Sequence, residues 1–149
     1  MTFKEKVYKA YKQLLEEKLI NVQLVLKELH DSAANETKST AGDKHETALA
    51  MLQIEQENKR KQLSELQLQQ SLLNKIDPAI VSTVVLNGSL VRTDSGYFFI
   101  SIALGKLVIE GKTVFALSPS SPLGQKMLHC SAPCKLELNG RSYTILDTK

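Results

Sequence analysis

The stretch Ser71–Gly88, SLLNKIDPAIVSTVVLNG, marks the point where the chain changes from helical to strand-like sequence. Asp77-Pro78 must end any helix that reaches it, because the residue before a proline is disfavoured in the α region. The first 76 residues contain no proline and a single glycine, Gly42, whereas all four prolines and the other six glycines follow. The pattern predicts an α+β fold with two domains, residues 1–76 and residues 77–149.

Two long helices are predicted in the first domain. In the first, from Phe3 to about Leu29, apolar residues recur at steps of three and four and form one stripe: Val7, Tyr11, Leu14, Leu15, Val22, Val25 and Leu29. The second, from about Lys44 to Lys75, has apolar clusters near its start (Ala48, Met51, Leu52 and Ile54) and near its end (Leu63, Leu66, Leu73 and Ile76), with the polar run Glu55–Gln62 between them. The short connection predicts an antiparallel coiled-coil hairpin with arms of about 45 Å and a tip near residues 35–46.

The second domain is predicted to be a small β-rich domain with one short helix. Its strand-like runs are Ile80–Leu86, Gly88–Arg92, Tyr97–Ala103, Leu107–Glu110, Thr113–Leu117, Cys134–Leu138 and Ser142–Leu146. Asn139-Gly140 between the last two is typical of a type I′ hairpin turn. Pro122–Leu128 is predicted to be a short helix, with Ser121 as its cap and Pro122 at its first position.

Composition narrows the function classes. A net charge of +3 neither requires nor forbids an acidic partner. The N-terminus has no apolar core of signal-peptide length and no run of 18 apolar residues occurs, so we expect a cytoplasmic protein without a membrane partner. His129, Cys130 and Cys134 are the only Cys/His group and a poor zinc set, and small buried cysteines in a sheet are the default interpretation. No nucleotide-binding or hydrolase motif is present, so the chain is not expected to be an enzyme by itself.

The segment Gly42–Ala48, GDKHETA, contains the most specific candidate site in the sequence. Asp43 and Glu46 have the spacing of a capping box at the start of the second helix. The same carboxylates could instead complete a magnesium site in a partner, because magnesium is often held by one or two carboxylates with waters and phosphates. Both interpretations are compatible. Lys59-Arg60-Lys61 on the second helix is either a solvated face or a contact for an acidic groove or a nucleic-acid strand.

Several segments resemble the GreA/GreB transcript cleavage factors of bacterial RNA polymerase. Gly42–Ala48 resembles the family's tip motif Gly-Asp-x-x-Glu-Asn-Ala, with Thr47 in place of Asn. Gly88–Val91 resembles its Gly-Ser-x-Val segment, and Ser118 with Ser121-Pro122-Leu123 resembles its Ser-x-x-Ser-Pro-[Ile/Leu] segment. Asn139–Ile145 resembles its Gly-x-x-x-Tyr-x-Ile ending in Tyr143 and Ile145, with Asn139 at the position of the glycine. The order of these segments covers nearly the whole chain.

The resemblance implies an FKBP-like second domain that docks on RNA polymerase and a coiled coil that enters the secondary channel. It further implies that Asp43 helps to hold the second magnesium ion of the polymerase and that Glu46 helps to place the attacking water at the backtracked RNA 3′ end. The chain would then be a monomeric cofactor of the polymerase with no stably bound cofactor of its own. Candidate partner-binding residues are Lys59, Arg60, Lys61, Ser121, Pro122 and Leu123.

Two segments depart from the family pattern. Ala50 stands where the family has an aromatic residue, and residues 129–134 replace a Gly-Lys-x-x-Gly-Asp segment. These departures favour an alternative in which the chain occupies the channel and regulates transcription without cleavage. A coiled-coil scaffold or chaperone-like protein without polymerase contact is a third hypothesis.

Overall fold

A computed structural model of the chain describes residues 1–36 and 42–149, with side chains at all of these except residues 36 and 42–45. Its first two elements are the helices α1, Phe3–Glu36, and α2, Gly42–Asn74. The described residues form two compact units. The helical unit comprises residues 14–70, and the sheet unit comprises residues 1–13 and 71–149.

The helical unit consists of parts of α1 and α2. Its buried side chains in α1 follow steps of four and three along one stripe: Leu15, Leu19 and Val22. Among the described side chains of α2 that belong to this unit, the buried ones are Leu66 and, within the predicted polar run, Gln56. Met51 and Ile54, which the sequence suggested as part of an apolar cluster, are 60% and 59% exposed. The portion of α2 in this unit, residues 42–70, is about 43 Å long at 1.5 Å per residue.

The sheet unit is built on six strands and one short helix. The elements, in chain order, are β1 Leu90–Thr93, β2 Gly96–Ile100, β3 Gly105–Ile109, β4 Lys112–Leu117, α3 Pro122–Met127, β5 Cys134–Leu138 and β6 Arg141–Thr148. The strand order is β3-β4-β2-β1-β6-β5. All neighbours are antiparallel except β2 and β4, which are parallel.

Alternation along the strands gives the sheet two buried faces. One face carries a core of Val91, Phe98, Ile100, Tyr143 and Ile145, and Met127 of α3 and Val85 pack against it. The opposite face carries Phe99 and Val114, both fully buried. Tyr11 lies over this face, with its ring centroid 6.0 Å from that of Phe99. The first residues of α1 are therefore part of the sheet unit's core.

The structure confirms the α+β class, with two long helices followed by a β-rich part that contains one short helix. Asn139 and Gly140 join β5 and β6 with φ angles of 52° and 78°, as a type I′ turn requires. Ser121 caps α3, because its Oγ accepts the Gly124 N–H at 3.1 Å. The domain boundary predicted at residue 77 stays a prediction.

One predicted strand, Ile80–Leu86, is wrong. The only bridge in this segment among the described residues joins Val84 to Ser131. Local side chains compete for the backbone, since Asp77 Oδ1 accepts the Ala79 N–H at 3.0 Å and Ser82 Oγ accepts the Val84 N–H at 3.2 Å. The segment is instead an irregular strap along the sheet unit.

Helix ends also differ from the prediction. The first helix continues to Glu36, seven residues past Leu29, and the second begins at Gly42 rather than Lys44. Asn35, expected in the tip, is therefore the penultimate residue of α1. Within the described ranges, none of the helices combines the length and apolar character needed to cross a bilayer.

Candidate functional site

The structure places Asp43 and Glu46, the two candidate catalytic residues, near the start of α2. The backbone of Asp43 is the second residue of this helix, and Glu46 follows one turn later with an exposed side chain. The side chains of Asp43 and His45 lie outside the described residues, and so does the predicted capping box. Ala50, which stands in place of the family's aromatic residue, is exposed on the next turn.

The basic cluster of α2 is partly engaged within its own helix. Lys59 is half-buried and donates to Gln62 Oε1 at 3.2 Å, and Lys61 lies 3.9 Å from Glu57 Oε1. Arg60 is exposed and makes no hydrogen bond or ion pair with any described residue. Of the three, Arg60 is therefore the cation most available to a partner.

Two residues of the segment Ser121–Leu123 stabilise the sheet unit. Ser121 Oγ also donates to Ser118 O at 2.6 Å, and Leu123 packs against the core that Met127 and Tyr143 share. Pro122 is exposed at the first position of α3. Of these three predicted contact residues, only Pro122 presents its side chain to solvent without a structural bond.

The Cys/His group of residues 129, 130 and 134 lacks the features of a reactive-thiol site or a metal site. Cys130 and Cys134 are free and half-buried, and the Cys130 thiol donates to Lys126 O at 3.3 Å. Burial and the neighbouring Cys134 thiol raise the pKa of Cys130, which disfavours the reactive thiolate. His129 is exposed and holds a left-handed φ of 70°. Among residues 1–36 and 42–149 as described, no cluster of three or more His, Cys, Asp or Glu could hold a metal ion.

A cavity in the sheet unit was not foreseen from the sequence. It has a volume of about 480 Å³ and is lined by the start of α1, by residues 78–81 and by one face of the sheet. Its floor is a cross-strand row in which Arg92 of β1 lies between Tyr97 of β2 and Asp147 of β6. The row could not be found by local pattern because its members come from three separate strands.

Aromatic and basic side chains meet at one end of this cavity. The rings of Phe3 and Tyr97 lie 5.0 Å apart at 59°. Lys112 Nζ lies 4.5 Å from the centre of the Phe3 ring and 5.9 Å from that of Tyr97, a cation–π arrangement. This cluster fixes the first turn of α1 against the sheet.

Lys4 is a buried cation on the wall of the same cavity. Its side chain is 5% exposed, and its Nζ donates to Ile80 O at 2.6 Å, which secures the strap. Burial lowers the pKa of Lys4, and the charge of Asp77 opposes that shift. Lys4 also lines a second cavity, of about 160 Å³, together with residues 75–77 and 86–89.

No family model, no curated protein and no solved structure matches the chain. The site residues therefore rest on the chemistry and geometry of this chain and on the sequence resemblance described above.

Proposed function

We propose that the chain is a secondary-channel factor of bacterial RNA polymerase, acting in the cytoplasm, that stimulates cleavage of backtracked RNA and rescues arrested elongation complexes. The observation that carries the proposal is the position of the Gly42–Ala48 segment, which resembles the GreA/GreB tip motif, at the start of a 33-residue helix. Two further features support the proposal: the first half of the chain consists of two long helices, and the second half is rich in β-strands. That half would correspond to the FKBP-like docking domain of those factors.

In this proposal the chain supplies carboxylates and the polymerase supplies the reaction. Asp43 would complete the coordination of the second magnesium ion of the polymerase, since carboxylate oxygen is a ligand that magnesium prefers. Glu46, one turn along α2 and exposed, would orient the water that attacks the phosphodiester. A two-metal site stabilises both the attacking and the leaving oxygen of such a displacement.

Contact with the polymerase would use exposed side chains. Arg60 of the basic cluster and Pro122 of α3 are the two predicted contact residues with exposed side chains that no structural bond engages. The other four, Lys59, Lys61, Ser121 and Leu123, serve internal bonds or packing. We therefore assign partner contact first to Arg60 and Pro122.

The test is RNA cleavage in a stalled, backtracked complex of the cognate polymerase. Asp43→Asn keeps the helix-capping ability of the residue and removes its negative charge, so it separates the two roles. We expect wild type to accelerate cleavage and Asp43→Asn to lose roughly 100-fold or more of that acceleration, because metal-ion stabilisation of the transition state is worth several kcal/mol. Glu46→Gln should also lose most of it.

A matched control is Glu55→Gln, which neutralises an exposed carboxylate on the same helix nine residues beyond Glu46. It should cleave like wild type. If Glu55→Gln and Asp43→Asn lost the same share of the cleavage acceleration, the total negative charge of α2 would matter. That result would contradict the proposal that Asp43 is a ligand of the magnesium ion of the polymerase. Circular dichroism of each variant checks that α2 is retained.

A non-cleaving channel regulator is the second candidate, and the exposed Ala50 favours it, because the family's aromatic side chain at this place is missing. It predicts that wild type and Asp43→Asn bind the polymerase equally and that neither accelerates cleavage. If wild type does not bind the polymerase at all, both candidates fail and the scaffold hypothesis is favoured.

A further inference from the structure

The cavity of about 480 Å³ in the sheet unit has the size and lining of a binding site rather than a packing defect. Pockets for ligands commonly have volumes of about 300–1,000 Å³ and combine apolar walls with a few charged groups. Here the apolar walls are Phe3, Pro78, Val81 and Leu90, and Tyr97 adds an aromatic ring to the floor.

Cations outnumber anions on the lining. Lys4, Arg92 and Lys112 face two acids, Glu5 and Asp147. Glu5 is already engaged, because its Oε1 accepts from Thr2 Oγ1 at 3.1 Å in the cap of α1. The lining therefore complements a ligand that carries negative charge.

Arg92 is the lining cation whose hydrogen-bond donors are available to a ligand. Its side chain is exposed at the floor and makes no hydrogen bond or ion pair within 4.0 Å to any described residue, Asp147 on the adjacent strand included. Lys4, by contrast, is bound to Ile80 O, and Lys112 is held over two rings. A planar guanidinium without a partner is suited to bidentate binding of a carboxylate.

The rim of the cavity is apolar and accessible. Val81 lines the cavity and is 65% exposed, and the adjacent Ile80 is equally exposed. One side of Phe3 is covered by the Lys112 ammonium and its other ring contact is the tilted Tyr97, so the pair does not offer a free parallel face on which a nucleobase would stack. An aliphatic side chain, which needs no such face, fits this rim.

We propose that this cavity binds an acidic peptide segment, with a carboxylate of the peptide on Arg92 and a neighbouring apolar side chain against Val81, Phe3 and Tyr97. The site lies in the sheet unit and uses none of the residues assigned to RNA cleavage or polymerase contact. It therefore stands apart from the proposed function and can be tested without polymerase.

The probe is a fluorescein-labelled peptide of alternating glutamate and leucine, titrated with the full-length protein and followed by fluorescence anisotropy. The matched peptide replaces every glutamate by glutamine and keeps the leucines. We expect measurable affinity for the acidic peptide and at least roughly tenfold weaker binding of the glutamine peptide. A hydrogen bond to a charged group is stronger than one to a neutral group, and the difference in free energy corresponds to roughly a tenfold change in the dissociation constant.

Two variants locate the site. Arg92→Gln should weaken binding of the acidic peptide roughly tenfold or more, whereas Arg141→Gln, an exposed arginine on β6 away from the cavity, should bind like wild type. Val81→Ser should weaken binding about threefold, since it removes an apolar contact without disturbing a buried position. Thermal melts confirm that each variant is folded.

Three outcomes would overturn the proposal. The first is no binding of the acidic peptide at millimolar concentration. The second is equal weakening by Arg92→Gln and Arg141→Gln, which would mean diffuse attraction of the basic chain. The third is tight binding of a labelled oligothymidylate in place of the peptide, sensitive to Arg92→Gln, which would assign the cavity to nucleic acid.

Discussion

Gly124 occupies a position in α3 where no side chain fits. A Cβ built on it would lie 2.2 Å from Ser118 O, 2.9 Å from Ser121 Oγ and 3.0 Å from Pro119 Cα. The first and last of these are backbone atoms, which cannot rotate away. The residue thus allows α3 to sit tightly on the turn that supplies its own cap.

We expect Gly124→Ala to destabilise the sheet unit by about 3 kcal/mol, because overpacking costs about 1–3 kcal/mol even where side chains can adjust. The measurement is urea unfolding followed by tyrosine fluorescence, since Tyr143 lies in the core beneath α3. The exposed neighbour Gln125→Ala loses one hydrogen bond, to Ser120 O, and should cost no more than about 1 kcal/mol. Equal effects of the two substitutions would contradict this account.

Tyr11 links α1 to the sheet through its hydroxyl group. The oxygen lies 2.7 Å from Gly105 O and 3.0 Å from Val114 O, and the ring is fully buried. Burial raises the pKa of Tyr11 to about 12 from an ordinary value of 10.0. Ionisation in place would put an anion against two carbonyl oxygens.

The pH dependence follows from this shift. Below pH 10 the tyrosine is neutral in both the folded and the unfolded state, so its contribution is fully present. As pH rises from 10 through about 12 the unfolded tyrosine ionises first, and about 2 kcal/mol of stability is lost. Urea unfolding at several alkaline pH values should show this loss in wild type, and Tyr11→Phe should show a shallower decline. Identical slopes would argue against a buried, neutral Tyr11.

At the scale of elements, the β5–β6 hairpin depends on its turn. Asn139 holds a φ of 52°, a conformation that asparagine tolerates and alanine does not. We expect Asn139→Ala to cost about 1 kcal/mol of stability and Asn139→Gly to be close to neutral. Thermal unfolding of both variants measures this, and equal melting temperatures for alanine and glycine would contradict the type I′ assignment.

The elements that could be predicted from the sequence are those whose signal is local. Asn139-Gly140 predicts its hairpin and Ser121-Pro122 its helix start, because each pair fixes its own backbone. Ile80–Leu86 has the composition of a strand, yet Asp77 and Ser82 bind its backbone and leave no ladder. Burial of Gln56 and exposure of Met51 and Ile54 likewise depend on tertiary packing rather than on residue type.

The candidate site residues likewise fall into those that a local sequence pattern predicts and those that only the folded structure brings together. Asp43 and Glu46 stand out because a capping box is a pattern within one turn. The Arg92 cavity has no such pattern, since its lining is gathered from the start of α1, the strap, and strands β1, β2, β4 and β6. Only the strand register brings Tyr97, Arg92 and Asp147 into one row.

For the whole molecule, the exposed apolar residues of α2 concern binding rather than stability. Met51 and Ile54 are about 60% exposed and lie two to four turns from the start of the helix. If this part of α2 enters a channel, the double variant Met51→Ser/Ile54→Ser should melt within a few degrees of wild type and compete less well for polymerase. Leu86→Ser, an exposed residue of the sheet unit, is the control and should compete normally. A large fall in melting temperature would show that these side chains stabilise the fold instead.

The proposed function requires that the start of α2 reach the RNA 3′ end in the polymerase active site. The most direct measurement places a benzoylphenylalanine photocrosslinker at Glu46, or at the exposed Glu137 of the sheet unit, and irradiates each protein with a backtracked complex that carries 3′-labelled RNA. We expect labelled RNA joined to the protein substituted at Glu46 and little or none joined to the protein substituted at Glu137. Saturating binding to polymerase without an RNA crosslink from Glu46, or equal crosslinks from both positions, would contradict the proposed function.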